Sequence, residues 1–316
     1  MSKRVAVVGS RGYPDLGLVR TFVRRLAERD STATVVSGNA RGVDRAAENA
    51  ARAAGLEVTS LPADWDKHGP RKAGFIRNGQ IVEACDAVAA FWDGSSGGTA
   101  DTVRKAEAAG KPVSVWGPDG ERVRGGTKGM RLHKLDSRHV RGCGKCGLHH
   151  TRRSTVFGQG NPDARLVFVG EAPGHDEDES GLAFVGRAGK RLTKLIEGMG
   201  LSRDDVFICN ILKCRPPGNR NPDPSEAAAC SPYLHKQLGI IAPEALVALG
   251  ACAARLLLRT EERIGALRGR FHAFRRLSGP PIPLMPTYHP AYLLRNPADT
   301  DKVEGDLRLV AERLGL

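Results

Sequence analysis

No run of apolar residues approaches the roughly 18 that a membrane span requires, so an ordinary transmembrane helix is excluded. Residues 1–12 lack the long apolar core of a secretion signal, and the short run 5–8 reads as a buried strand instead. No sequence repeat links the two halves of the chain. Cysteine is scarce and odd in number, seven in all, which speaks against a disulfide framework. A metal centre plus buried structural thiols is the expected use of such a set. A cytoplasmic monomer, free of membranes, is therefore expected. What is present suits a soluble protein: 316 residues, enough for two domains, with a hydrophobic share of 41%.

Charge is the strongest bulk signal. The formal net charge is +13, and a basic surface attracts polyanions, so nucleic acid is a natural partner. The most basic stretch per residue is 119–142, with seven Lys or Arg against three Asp or Glu. It reads either as a solvated linker or as a segment that tracks phosphates.

The fold class expected is α/β. Short β-branched runs at 5–8, 34–36, 58–61, 87–91 and 113–115 alternate with helical periodicity near 18–28, 42–54, 71–84 and 99–109. That order implies a parallel sheet covered on both faces. The alternation restarts after Arg165, with strands at 166–169, 206–210, 245–249 and 283–286 and helices near 187–198, 225–237, 251–258 and 300–314. Two three-layer α/β/α domains are expected, at 1–118 and 143–316, joined by a glycine-rich linker at 119–142.

In the first domain three glycine turns follow strands: Gly9-Ser10-Arg11-Gly12, the stretch from Gly38 through Arg41, Gly42 and Asp44, and the stretch from Asp93 through Gly97, Gly98 and Thr99. All fall at carboxyl ends of parallel strands, where open α/β sheets bind ligands. Glycine lets backbone amides approach a phosphate, and a following helix N-terminus adds positive potential. Tight turns also need glycine for steric reasons alone. Arg11, Arg41 and Arg77 lie near these turns, which favours a phosphate-bearing ligand. The stretches GSRGY, SGNARGVDRAAENAA, ADWDKHGPRKAGFIRN and AFWDGSSGGT resemble the SLOG superfamily of Rossmann-like nucleotide-binding domains. The resemblance spans about 3–116 and implies a nucleotide ligand of unnamed identity. Gly97-Gly98-Thr99 matches the phosphoribohydrolase pattern of that superfamily only in part, so hydrolysis is not expected there.

In the second domain Cys143 and Cys146 form a C-x2-C pair, and Cys214 and Cys230 follow singly. By spacing, the four fit an iron–sulfur cluster, a zinc site or ordinary thiols. Other motifs surround them. They are Phe157-Gly-Gln-Gly-Asn161-Pro162, Gly170-Glu171-Ala172-Pro173-Gly174, Phe184-Val-Gly-Arg-Ala-Gly189, Asn210-Ile-Leu-Lys213-Cys214-Arg-Pro-Pro-Gly and Thr287-Tyr-His289-Pro290. In this order and spacing they resemble the family 4 uracil-DNA glycosylases, from Cys143 to about Leu309. That resemblance implies a 4Fe–4S cluster on Cys143, Cys146, Cys214 and Cys230, and uracil-containing DNA, single- or double-stranded, as partner.

The chemistry so implied needs these residue types. The base must leave the stack before its bond to the sugar is cut. Phe184 would stack on the flipped ring. Asn210 offers a donor and an acceptor, matching uracil O4 and N3–H and mismatching cytosine. His289 would donate to O2 as negative charge develops on the base. Glu171 would orient water and offset positive charge on the sugar. The backbone from Glu171 through Ala172 to Pro173 would frame the uracil. Family 1 enzymes place an aspartate where Ala172 stands, so the water-activating role is not carried over from them. A DNA-linking relative carries histidine in the loop after the second motif, and residues 217–222 here hold none. The expected reaction is hydrolytic and monofunctional, in base excision repair. Lys213, beside a presumed cluster ligand, is the one lysine inside the motifs that could be weighed as a Schiff-base nucleophile. The alternatives are a protein that reads uracil in DNA without cutting, and a nucleotide sensor with the glycosylase as effector.

Overall fold

A computed structural model of the chain describes residues 3–123, 126–276 and 279–316. They form two compact units, 1–133 and 134–316, each with its own sheet.

The first unit begins with β1 (Arg4–Gly9), α1 (Leu16–Arg29), β2 (Thr34–Ser37), α2 (Val43–Ala53) and β3 (Glu57–Ser60). It continues through α3 (Trp65–Ala84), β4 (Ala87–Phe91), α4 (Gly97–Ala108), β5 (Val113–Trp116), β6 (Arg122–Val123) and α5 (Gly126–Leu135). The sheet order is β3-β2-β1-β4-β5-β6, parallel except for the edge pair β5 and β6. Strand β1 shows why the layers form. Val5 and Val7 enter one core with Val19, Val23 and Ala47, while Ala6 and Val8 enter the other with Ile81, Val88 and Val103. A period of two feeds both faces, and helices cover each. Helix α3 is broken at Gly69, whose φ is 69°, followed by Pro70. Proline suits the first turn of the new helical segment, which explains the helical periodicity from residue 71.

The stretch 119–142 departs from the linker expected of it. Arg122–Val123 adds an antiparallel edge to the sheet, α5 follows, and Asp136–Val140 forms a π-helical turn. Met130 packs into the core beside Ile81 and Val88, and Leu132, Leu135 and Val140 are buried as well. These few apolar residues were diluted in sequence by seven basic ones, so their burial left a weak periodic signal.

The second unit holds β7 (Gln159–Gly160), β8 (Leu166–Gly170), α6 (His175–Ser180), α7 (Arg187–Glu197), β9 (Phe207–Asn210) and α8 (Pro224–Ile241). Then come β10 (Ala245–Leu249), α9 (Ala251–Leu258), α10 (Ile264–Leu267), β11 (His272–Phe274), β12 (Ile282–Thr287), α11 (Pro290–Leu293) and α12 (Thr300–Leu314). The order is β11-β12-β10-β8-β9-β7, with the four central strands parallel and both edges antiparallel. Strands β8 and β10 are buried along their whole length. Strand β8 has β9 on one side and β10 on the other, so the strand order reverses there. Open α/β sheets bind ligands at the carboxyl end of such a switch.

Candidate active site and cysteine cluster

A cleft of about 550 Å³ opens at the carboxyl ends of β8 and β9 and the start of α11. Glu171, Ala172, Pro173, Phe184, Asn210 and His289 all line it. The six residues expected from sequence to contact a base thus share one cavity. Two glycines permit the convergence. A Cβ on Gly170 would collide with both the Asn210 amide oxygen and the Phe184 ring, and one on Gly189 would collide with the Phe184 carbonyl. Phe184 itself takes a left-handed conformation, φ 53°, unusual for a side chain of this size. Arg203 holds that turn by donating to the carbonyls of Ala183 at 2.8 Å and Phe184 at 3.3 Å.

Glu177 secures the same turn. Its carboxylate accepts from the amides of Val185 at 2.8 Å, Gly186 at 2.9 Å and Gly174 at 3.1 Å. This carboxylate lines the cleft, but its oxygens are engaged by the main chain, so its work is to place Phe184. The Phe184 ring lies 5.9 Å from that of His289, tilted by 33°.

Asn210 ends β9 and is 2% exposed. Its side-chain oxygen is buried and has no hydrogen-bond partner among the described residues. A buried amide oxygen without a partner is costly, on the order of 1–3 kcal/mol. Here it faces a cleft able to hold a ligand with an N–H. His289 caps α11, and its Nδ1 accepts from the amide of Ala291 at 3.1 Å. The proton of the neutral ring therefore sits on Nε2, leaving a donor. Burial pushes the imidazole down to about 4, aided by Arg295 and opposed by Glu177, so the ring is neutral near pH 7. Burial raises the Glu171 carboxyl above its ordinary range, and the Cys252 thiol bonded to it works the other way. Burial, with Glu171 beside it, pushes Cys252 up to about 12, so the thiol stays protonated. Sequence reasoning missed Cys252, Arg203 and the steric part of Gly170. Only Gly170 lay inside a quoted motif.

Cys143, Cys146, Cys214 and Cys230 line a second, much smaller cavity. Donors point at the sulfurs: the Tyr233 hydroxyl to Cys143 and the Arg152 guanidinium to Cys214, each at 3.2 Å, and the Lys213 amide to Cys230 at 3.2 Å. Arg152 also donates to the Cys143 carbonyl at 2.7 Å. Burial pushes the Cys230 thiol up to about 11. A thiolate there needs a compensating positive charge, which a bound metal group would supply.

The first unit has a cleft of about 300 Å³ at the carboxyl ends of β1 and β4, where its strand order reverses. Gly9, Arg11, Arg77, Gly98 and Thr99 line it, joined by Asp44, Asn78 and Asp93, which lie in the quoted motifs but were given no ligand role there. Ser10 is buried beneath, its hydroxyl accepting from the Asp93 amide at 3.1 Å. Gly38 and Gly42 shape the wall and do not face the cavity, and Arg41 is exposed outside it. Arg77 is engaged by the Gly38 carbonyl and by Asp44 at 3.7 Å, which leaves Arg11 as the cation less committed to the wall. Burial, opposed by Arg77 and by backbone amides, raises the Asp44 carboxyl to about 6.

Comparison with known proteins agrees with this division. Residues 157–308 match the family model for the uracil DNA glycosylase superfamily, and residues 3–68 match that of the YspA, cpYpsA-related SLOG family. The chain is 46% identical over 165 residues to a type-4 uracil-DNA glycosylase of Thermotoga maritima, covering 52% of this chain and 84% of that one. It is 47% identical over 180 residues to one from Saccharolobus solfataricus, covering 55% of this chain and 83% of the relative.

Proposed function

This chain belongs to the type-4 uracil-DNA glycosylases, and from that premise we propose how its two units act. The second unit takes a uracil flipped out of DNA and hydrolyses its bond to the sugar, leaving an abasic site. The observation that carries this reading is the buried, unpartnered oxygen of Asn210 beneath the Phe184 ring. Uracil N3–H would satisfy that oxygen. Cytosine carries a lone pair at N3 and would leave it unpaired, a loss worth several factors of ten in a buried site.

With Asn210 on one edge and Phe184 on the face, the His289 Nε2–H is the donor available for O2. A neutral donor suits this work, because it stabilises charge appearing on the departing base without first holding an anion in the ground state. Glu171, partly buried, would orient water and offset the positive charge that grows on the sugar. Arg295 lines the cleft at a position that suits contact with a phosphate, while Arg220, which also lines it, is held by Glu226 at 2.7 and 2.9 Å.

The four cysteines would hold a 4Fe–4S cluster. What supports a charged, thiolate-bound group is the set of donors aimed at Cys143, Cys214 and Cys230, each at 3.2 Å. When bound, such a cluster supplies a covalent cross-link between the segment at 143–146, the segment after β9 and α8. No step of hydrolysis passes through it.

The first unit would serve as a nucleotide-binding module, its ligand seated in the cleft at β1 and β4. No helix among the described residues is long and apolar enough to cross a membrane. The test of the whole reading is release of uracil by the full chain from single-stranded and duplex oligonucleotides carrying one uracil, with iron analysis of the same preparation. Failure to release uracil from either substrate would refute it. For the first unit, a thermal-shift screen across nucleotides is the measurement. A ligand at a hundredfold excess over its dissociation constant should add about 2.7 kcal/mol to that unit's stability.

A further inference from the structure

Lys213 is 1% exposed, and lysine is almost never fully buried unless its charge is paired. Its surroundings are unusually complete. The ammonium donates to the main-chain carbonyl of Asn210 at 2.8 Å and to the side-chain oxygen of Gln237 at 2.6 Å. It also lies 5.9 Å from the centre of the Phe157 ring. Gln237 in turn donates to the Phe157 carbonyl at 2.8 Å. The Lys213 main chain is tied as well, its amide to the Cys230 sulfur at 3.2 Å and its carbonyl to the Val156 amide at 2.7 Å.

One residue thus spans the distance between the cysteine cavity and the back of the base-reading residue. On the other side of the same segment, Ile211 and Leu212 donate to the carbonyls of Gly170 and Glu171, each at 3.0 Å. The peptide plane that follows Asn210 is held at both ends, its carbonyl by Lys213 and its N–H, that of Ile211, by the Gly170 carbonyl, and with it the backbone from which the Asn210 amide leaves the chain. A burial this deep also leaves the amine no route to a substrate carbon, which removes Lys213 as a Schiff-base nucleophile.

We propose that Lys213 is a positioning residue, locking the main chain of Asn210 so that its amide meets uracil, while its own amide braces the cluster ligand Cys230. Removing the ammonium leaves the carbonyls of Asn210 and Gln237 buried without a donor. The Asn210 peptide then rotates to find one, and the amide loses its register with the base. The proposal rests on the uracil-excising reading of the cleft. It differs from a view in which Lys213 merely offsets thiolate charge, because that view affects the metal and leaves base reading alone.

The test uses the full chain with three readouts: iron per chain, calorimetric affinity for free uracil, and affinity for an abasic duplex. Lys213→Met should keep wild-type iron and abasic-DNA affinity within threefold, while uracil binding weakens about tenfold or more, as for a lost bond to a charged donor. Gln237→Met retains the lysine but frees its ammonium, and should weaken uracil binding by a smaller factor with iron intact. That variant decides the matter if Lys213→Met does not fold. Wild-type uracil affinity in the variants would overturn the proposal. So would iron lost in proportion to uracil affinity, which would assign Lys213 to the cluster alone. Wild-type protein that neither binds nor releases uracil would instead overturn the reading on which the proposal rests.

Discussion

Gly170→Ala is the smallest change that should disable the cleft. The substitution adds one methyl group at the end of β8, where φ is not positive, so the backbone accepts alanine without strain. The methyl would collide with the Asn210 oxygen on one side and the Phe184 ring on the other. Both are buried and cannot simply swing into water. Overpacking at such a point costs about 1–3 kcal/mol of stability. Binding suffers more. Base stacking is worth about 1–3 kcal/mol, and a bidentate amide–base pair about 1–3 kcal/mol of discrimination. If both are displaced, affinity for the flipped base falls by ~30-fold to ~10⁴-fold, at about 1.4 kcal/mol per factor of ten. Single-turnover uracil release should fall by a similar factor at subsaturating DNA. The thermal transition should remain cooperative and iron content unchanged. Release within threefold of wild type would refute the geometry of Asn210 and Phe184 around Gly170.

Three further outcomes follow from the same structure. His289→Ala should lower the single-turnover rate by about 10²–10³, as for removal of an oxyanion donor, and wild-type rates should show no inflection near pH 6.5 from this ring. Its folded value of about 4 lies below the unfolded 6.5, so the stability it confers is present above pH 6.5 and lost as pH falls through about 4, measurable as the difference in stability between wild type and His289→Ala across that window. Glu177→Gln, which replaces an acceptor of three amides by one with a single oxygen, should loosen the turn carrying Phe184 and weaken uracil binding about tenfold, read by calorimetry with free uracil. Gly239→Ala, on α8 with open space where its Cβ would lie, should raise stability by roughly 0.5–1 kcal/mol in chemical denaturation and leave excision unchanged.

The parts of this protein that were legible in its sequence are those with a short period or a tight motif. Strands β1, β4, β8 and β10 were found within a residue or two because unbroken apolar runs bounded by turns admit few other readings. That the candidate site residues share one cleft was legible for a different reason. Glu171, Asn210 and His289 each close a strand or open a helix at the switch point, where the motifs lie densest. The short elements β7, β11, α6 and α10 were not legible, since segments of two to six residues without an unbroken apolar run carry no usable period. Nor was the folded character of 119–142, whose buried Met130, Leu132 and Leu135 are scattered among charges.

The roles assigned to cations were the least legible part, and the reason is physical. A sequence shows that a charge exists but not what answers it. Arg77 reads in sequence as a phosphate ligand, and in the structure it lines the cleft with its guanidinium engaged by Asp44 and the Gly38 carbonyl. Lys213 looked like a neighbour of a metal ligand and is instead the buried fixture behind Asn210. In both cases the partner lies far away in sequence, 33 residues from Arg77 to Asp44 and 24 from Lys213 to Gln237. Burial makes such partners decisive, because an unanswered charge in a core costs several kcal/mol. A basic residue inside a motif thus serves either as a brace for the residues that line a site or as a contact itself. Only the acceptors around it tell the two apart.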